Sequence, residues 1–157
     1  MLTSGSGLWM NQIESLCEKL KQEFGTSDPF ELCGRMGVIV LFVKLPMHIK
    51  GFYCNMADHR MVYINNRLKE GEQRMVCAHE LGHALLHAEL NVMFINQYTN
   101  LKTVRYENEA DYFSACLLID DALLDCTSGL STLADIASCA GVDERLVELR
   151  LRRFNGS

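Results

Sequence analysis

Two histidines and a glutamate lie close together near the middle of this chain of 157 residues, in the order His79, Glu80 and His83. The surrounding apolar residues recur at helical spacing, and helical residues four apart share one face, so both imidazoles can reach a single metal ion. Glu80 lies about 100° further round the helix, where its carboxylate could contact a metal-bound water but is poorly placed as a ligand. This pattern is typical of a hydrolytic zinc site, in which three protein ligands leave a position for water and a carboxylate accepts the proton of that water.

The third ligand must come from another segment, and an acidic stretch downstream supplies candidates. Glu107 and Asp111 are four residues apart in a segment of helical periodicity, so they share a face, whereas Glu109 points elsewhere. We expect Glu107 to complete the metal site, with Glu109 as the competing ligand and a solvated acidic face as the alternative interpretation. Asp111 is expected to accept a hydrogen bond from the non-ligating nitrogen of a metal-binding histidine and to fix its tautomer.

Further residues near these motifs are candidates for other roles. His87 follows His83 by four residues and is a candidate for substrate or oxyanion contact, although a cationic histidine near a helix C-terminus is favourable in itself. Gly82 costs up to about 1 kcal/mol relative to alanine inside a helix, so we expect a packing or functional reason for it, such as close approach of the backbone beside a substrate cleft. Four tyrosines could offer a hydroxyl to the tetrahedral intermediate, and the sequence does not choose among them: Tyr53, Tyr98, Tyr106 and Tyr112.

The elements that position these residues are predicted from periodicity. Three runs rich in β-branched and aromatic residues, at 38–45, 51–56 and 60–65, predict a small antiparallel three-stranded sheet. Helical patterns cover 9–24, a short stretch after Pro29, 70–87, 103–119, 131–140 and 142–154. The prediction is an α+β fold, with the sheet packed on a zincin-like core made of the two motif-bearing helices. The metal motif resembles that of zincins, and this resemblance implies that a peptide substrate pairs with a sheet edge, either 51–56 or 60–65.

Length and composition limit the class of protein. A chain of this length is usual for one compact domain, which we expect to span 1–157, with residues 1–7 flexible and the helix pair at 131–154 packed on or beside the core. A hydrophobic content of 48% and a net charge of −5 exclude a disordered chain, and the longest apolar run is far too short to cross a bilayer. The N-terminus does not resemble a signal peptide.

The cysteines indicate the compartment. There are seven, an odd number, and no two lie closer than ten residues apart, a spacing that fits neither a disulfide scaffold nor a zinc ribbon. We therefore expect reduced, mostly buried thiols, Cys77 among them, in a protein of the cytoplasm.

The two motifs resemble the ImmA/IrrE family of metallo-endopeptidases, whose pattern runs H-E-L-G-H, then a connection, then E-x-x-A-[ND]-x-F-[AS]-x-x-L-L. The chain matches this pattern over 79–83 and again over 107–118, but Ile119-Asp120 replaces the usual Met-Pro, and the connection at 88–102 is individual to this chain. The resemblance implies a cytoplasmic enzyme, often encoded by phages or other mobile elements. It also implies that the enzyme cleaves a helix-turn-helix transcriptional repressor and so acts as an anti-repressor.

Three functions are consistent with these observations. The first is a zinc-dependent endopeptidase holding one Zn²⁺ ion, in which Glu80 assists attack of a zinc-bound water on a peptide bond of such a repressor. The second is a non-hydrolytic binding protein that sequesters a repressor around a structural metal site, although a structural site has no use for Glu80. The third is a DNA-binding regulator using the basic last helix, but the acidic chain and the apolar period of that helix favour packing. We therefore expect a protein partner, and neither a membrane nor nucleic acid.

Overall fold

The computed structural model describes residues 5–88, 100–126, 129 and 132–152. These ranges contain seven helices and one three-stranded sheet, which confirms the predicted α+β class. The helices are α1 (Gly5–Phe24), α2 (Pro29–Arg35), α3 (Glu70–Leu86), α4 (Asn100–Leu118), α5 (Asp121–Cys126), α6 (Leu133–Ala140) and α7 (Glu144–Leu151), and the strands are β1 (Val38–Val43), β2 (Gly51–Met56) and β3 (His59–Asn65). None of these helices is long and apolar enough to span a bilayer.

The sheet is mixed, with the order β1-β3-β2. β2 and β3 form the expected antiparallel hairpin, whose two turn residues, Ala57 and Asp58, both have positive φ, as a type I′ turn requires. β1 pairs with β3 in parallel, so the all-antiparallel prediction is wrong for this pair. The error has a physical reason: alternation along a strand indicates which face is buried and carries no information on the direction of its neighbour.

The connection between β1 and β2 crosses the end of β3 and is held there by Asn65. The fully buried side-chain amide of Asn65 donates towards the carbonyls of Leu45, Pro46 and Ile49 at 3.0–3.3 Å. Its backbone N–H donates to the carbonyl of Lys50 at 2.8 Å. One residue thus pairs with four carbonyls of this connection, and its contact with Lys50 fixes where β2 begins.

The core lies between the sheet and the helices, with α3 packed on β2 and β3 on one side and on α4 on the other. The approach of α3 to the sheet is close at Gly51, where an added Cβ would lie 2.6 Å from the carbonyl oxygen of Tyr63 and 2.6 Å from Cγ1 of Val76. A side chain at this position would therefore push the hairpin and α3 apart, and the position requires glycine.

Of the C-terminal helix pair, α7 packs against α4 and α6 packs against α7. The side chains of Thr132 and Asp143 cap the N-termini of α6 and α7. Arg150 of α7 is buried and donates to the carbonyl of Ile119 at 2.9 Å and to the carboxylate of Asp121. A buried side chain of the last helix thus hydrogen-bonds to the segment that follows α4.

Some boundaries differ from the predictions. α1 begins at Gly5, four residues before the predicted start of this helix, and residues 1–4 lie outside the described ranges. The six-residue helix α5 was not predicted, since so short a segment has no clear period. Most of the connection predicted at 88–102 also lies outside the described ranges. All seven cysteines are free, and five of them are buried: Cys17, Cys33, Cys54, Cys77 and Cys116.

Candidate metal centre

Three predicted ligand side chains converge between α3 and α4. Nε2 of His79 lies 3.1 Å from Nε2 of His83 and 3.1 Å from Oε2 of Glu107, and Nε2 of His83 lies 3.0 Å from Oε1 of Glu107. Ligand atoms bound tetrahedrally to zinc at about 2.0–2.1 Å are about 3.3 Å apart, so both the donor set and its spacing fit such an ion. Among the described residues, no other group of three such side chains comes together.

Gly82 explains how the two helices come so close. A Cβ added at Gly82 would lie 3.0 Å from Cδ1 of Phe113 and 3.3 Å from Cα of Ala110, both on α4. Gly82 therefore faces α4 one turn from Glu107, and of the two expected kinds of reason for this glycine the structure shows packing. The close approach that it permits instead brings the carboxylate of α4 within reach of the histidines of α3.

Glu80 lies beside this cluster and is almost completely buried. The backbone N–H of Tyr53 donates to its carboxylate, while Oε2 has no hydrogen-bond partner among the described residues. Burial raises the pKa of Glu80, although the neighbouring His79 and His83 oppose the rise. A carboxylate with a free, desolvated oxygen at this position can accept a proton from a water held at the cluster.

Asp111 holds the other nitrogen of His79. Its Oδ1 lies 2.8 Å from Nδ1 of His79, and Arg145 of α7 donates to its Oδ2. Burial alone would lower the pKa of His79, but hydrogen bonds to Asp111 and Glu107 raise it to about 10. Burial opposes ionisation of Glu107 as well, yet hydrogen bonds from His79 and His83 hold its pKa far below the usual range. Glu107 is thus ionised and able to coordinate a metal ion, whereas His79 must first release a proton.

The structure places His87 away from the predicted substrate contact. Its side chain is buried behind His83, with the two Nδ1 atoms 3.0 Å apart, and its Nε2 lies 2.8 Å from Oε2 of Glu109. Glu109 itself also accepts from Arg105 at 2.8 Å and supplies no atom to the three-ligand cluster. Burial lowers the pKa of His87, and Glu109 opposes this effect. The sequence carried a signal for this arrangement, because the four-residue spacing of the histidines continues from 79 through 83 to 87.

A cavity of about 520 Å³ opens beside the cluster. β2, α3, α4 and α7 all contribute to its described lining, which includes Gly51, Val76, His79, Glu80, Val104, Glu107, Asp111, Asp143 and Arg145. β3 is the central strand and cannot be the predicted substrate edge, whereas β2 is an edge and begins at the cavity. Arg145 belongs to the last helix, for which DNA contact was the less favoured alternative, and it lies at the cavity.

The candidate tyrosines have other partners. The hydroxyl of Tyr53 donates to the carbonyl of Ala88, the hydroxyl of Tyr112 donates to Glu14, and the ring of Tyr106 packs on His87. Tyr98 lies outside the described residues. None of the three described tyrosines is among the residues that line the cavity, so the structure does not single out a tyrosine for the tetrahedral intermediate.

Comparison with known proteins adds two kinds of match. Residues 33–152, about three quarters of the chain, match the profile of peptidase family M78, described as the IrrE N-terminal-like domain. The chain is 34% identical over 139 residues to "Uncharacterized immunity region protein 2" of Bacillus phage phi105, a match that covers 88% of each protein. It is 28% identical over 107 residues to "Metallopeptidase ImmA" of Bacillus subtilis (strain 168), covering 64% of this chain and 59% of that protein.

Proposed function

The chain belongs to the metallopeptidase family of the IrrE N-terminal-like domain, and from this premise we propose that it is a zinc-dependent endopeptidase. The resemblance found in the two motifs is thereby confirmed at the level of the family. The observation that carries the proposed activity is the convergence of His79, His83 and Glu107 with a buried carboxylate, Glu80, at their side. A site that only held the fold together would need no such carboxylate.

We assign the roles as follows. His79, His83 and Glu107 would hold one Zn²⁺ ion, which when bound polarises the substrate carbonyl and makes the attacking water acidic. Glu80 accepts the proton of that water at its unpartnered Oε2 and passes it to the nitrogen of the leaving amine. Asp111 accepts a hydrogen bond from Nδ1 of His79, which leaves Nε2 free to face the ligand cluster.

The substrate that we propose is a helix-turn-helix repressor in the cytoplasm. The names of the two relatives support this class, because one is an immunity region protein of a phage and the other is a metallopeptidase. The site can admit an extended peptide, since the edge strand β2 begins at the cavity and offers main-chain groups for pairing. Seven free cysteines are consistent with a reducing compartment.

The decisive experiment replaces the proposed base and a matched control. Glu80→Gln removes the proton acceptor with little change in size, and Glu70→Gln changes another glutamate of α3, which is exposed and is not among the residues that line the cavity. With zinc bound to both variants, we expect Glu80→Gln to cleave the helix-turn-helix repressor proposed as substrate about 10²–10⁴-fold more slowly, while the control retains cleavage. Full proteolysis by Glu80→Gln would refute the mechanism. A stable zinc-bound complex without fragments, formed by the unmodified protein, would favour sequestration instead.

The structure does not favour DNA binding through the last helix. Arg150 is buried and Arg145 is paired with Asp111, so neither guanidinium is available to phosphate without breaking an internal contact. Arg152 is exposed, and Arg153 lies outside the described residues. The start of the last helix is better explained as part of the wall of the cavity.

A further inference from the structure

The two metal-facing histidines of α3 are supported in different ways. Nδ1 of His79 meets a carboxylate directly, the one of Asp111. Nδ1 of His83 meets another imidazole, the one of His87, at 3.0 Å, and His87 in turn meets Glu109 at 2.8 Å. Each chain of contacts ends on an arginine, Arg145 in the first case and Arg105 in the second.

The directions of the hydrogen bonds in the second chain follow from the chemistry of its end. Glu109 is a carboxylate bonded to Arg105, so it can only accept, and Nε2 of His87 must carry a hydrogen and donate to it. A neutral imidazole with its hydrogen on Nε2 presents a lone pair at Nδ1. Nδ1 of His83 must therefore donate, and Nε2 of His83 is left with its lone pair facing the ligand cluster.

We propose that His87 and Glu109 form a positioning relay that fixes His83 in its metal-binding tautomer and orientation. The proposal rests on the proposed metal-binding role of His83, and it replaces the expected contact between His87 and substrate. His87 acts through another residue, since its side chain is buried and has its two ring nitrogens engaged within the protein.

Two sets of contacts hold His87 in place within the relay. His87 is the C-cap of α3, and its backbone N–H still donates to the carbonyl of His83 at 2.8 Å, so the two imidazoles stay one turn apart. The carbonyl of the next residue, Ala88, accepts from the hydroxyl of Tyr53 and from the side-chain amide of Asn55, both at 3.2 Å. Strand β2 thus fixes the point at which the chain leaves the helix, and with it the position of His87.

The test measures metal binding directly, so that it does not depend on proteolysis. Zn²⁺ affinity is obtained for the full chain by competition with a chromophoric chelator, and the ligand field is read from the visible absorption of the Co²⁺-loaded protein. His87→Leu removes the acceptor, and we expect Zn²⁺ to bind about 10–100-fold more weakly, with an altered Co²⁺ spectrum. His87→Asn keeps an acceptor at the position of Nδ1, and we expect it to recover at least half of the loss on a logarithmic scale.

A second variant covers the case in which His87→Leu does not fold. Glu109→Leu leaves both imidazoles in place but removes the acceptor that fixes the tautomer of His87, and we expect weaker Zn²⁺ binding in the same direction. Unchanged affinity and an unchanged Co²⁺ spectrum in the folded variant would overturn the relay. If the unmodified protein binds Zn²⁺ tightly but cleaves nothing, the proposed activity fails while the relay still stands; if it binds no metal, both fail.

Discussion

Replacing Gly82 by alanine is a direct test of how the two ligand-bearing helices are held together. The added Cβ would meet Cδ1 of Phe113 at 3.0 Å and Cα of Ala110 at 3.3 Å, whereas carbon atoms pack optimally at about 3.5–4.0 Å. The ring of Phe113 can rotate away, but the backbone of Ala110 can move only with α4. We therefore expect α3 and α4 to separate by a few tenths of an ångström at the level of the metal centre.

The expected stability follows from two opposing terms. Alanine gains up to about 1 kcal/mol over glycine inside a helix, while overpacking a filled contact costs about 1–3 kcal/mol. Gly71→Ala is the matched control, because it lies on the same helix with nothing within 4 Å of its added Cβ. We expect the free energy of unfolding of Gly82→Ala, measured by urea denaturation in the presence of a chelator, to fall about 1–3 kcal/mol below that of Gly71→Ala.

The same displacement should weaken the metal site. Nε2 of His83 and Oε1 of Glu107 are 3.0 Å apart across the two helices, and zinc sites tolerate deviations of only about 0.2 Å in their bonds. We expect Gly82→Ala to bind Zn²⁺ more weakly than Gly71→Ala in a chelator competition. If the two variants are equally stable and bind Zn²⁺ equally tightly, then close helix contact at Gly82 does not set the spacing of the ligands.

Two further predictions concern the hydrogen bonds of Asn65 to the 44–50 loop and the proton that His79 carries at neutral pH. Asn65→Ala removes a fully buried amide that pairs with three carbonyls of the 44–50 loop and should lower the free energy of unfolding in urea by about 1–3 kcal/mol. The same change at exposed Asn66 should have little effect, and equal losses would refute the role of Asn65 in holding the loop. Because the pKa of His79 is raised to about 10, Zn²⁺ must displace its proton at neutral pH, and acidification favours that proton over the metal. Zn²⁺ affinity should therefore fall about tenfold for each pH unit lowered between about pH 8 and 6, and a flat titration would contradict this.

The site was more predictable from sequence than the sheet. The four-residue spacings of His79 with His83 and of Glu107 with Asp111 report a helix face directly, and the structure brings all four side chains together. The parallel pairing of β1 with β3 depends on where the 44–50 loop runs, and that path is set by the side chain of Asn65, which looks like an ordinary turn residue in the sequence.

The role of a single residue was harder to predict than the helix face on which it lies. Nothing in the sequence shows whether the glycine at 82 faces a substrate or another helix, because both require close backbone approach. Arg145 lies far along the chain in a helix whose apolar period predicted packing but not a particular contact, and its partner Asp111 could be identified only from the packing of α7 on α4. Long-range partners of this kind depend on tertiary packing, which local periodicity does not encode.

The contact between Arg145 and Asp111 couples the position of α7 to the affinity of the site for a metal ion. Asp111 joins α7 to His79, so an ion that favours one arrangement of His79 also favours one placement of the helix. Such coupling is reciprocal. If metal binding strengthens the docking of α7 by some factor, a partner that draws α7 away weakens the affinity for the metal by the same factor. A chain shortened before Thr132 would keep all three ligands but would lose the contribution of α7 to the affinity for the metal.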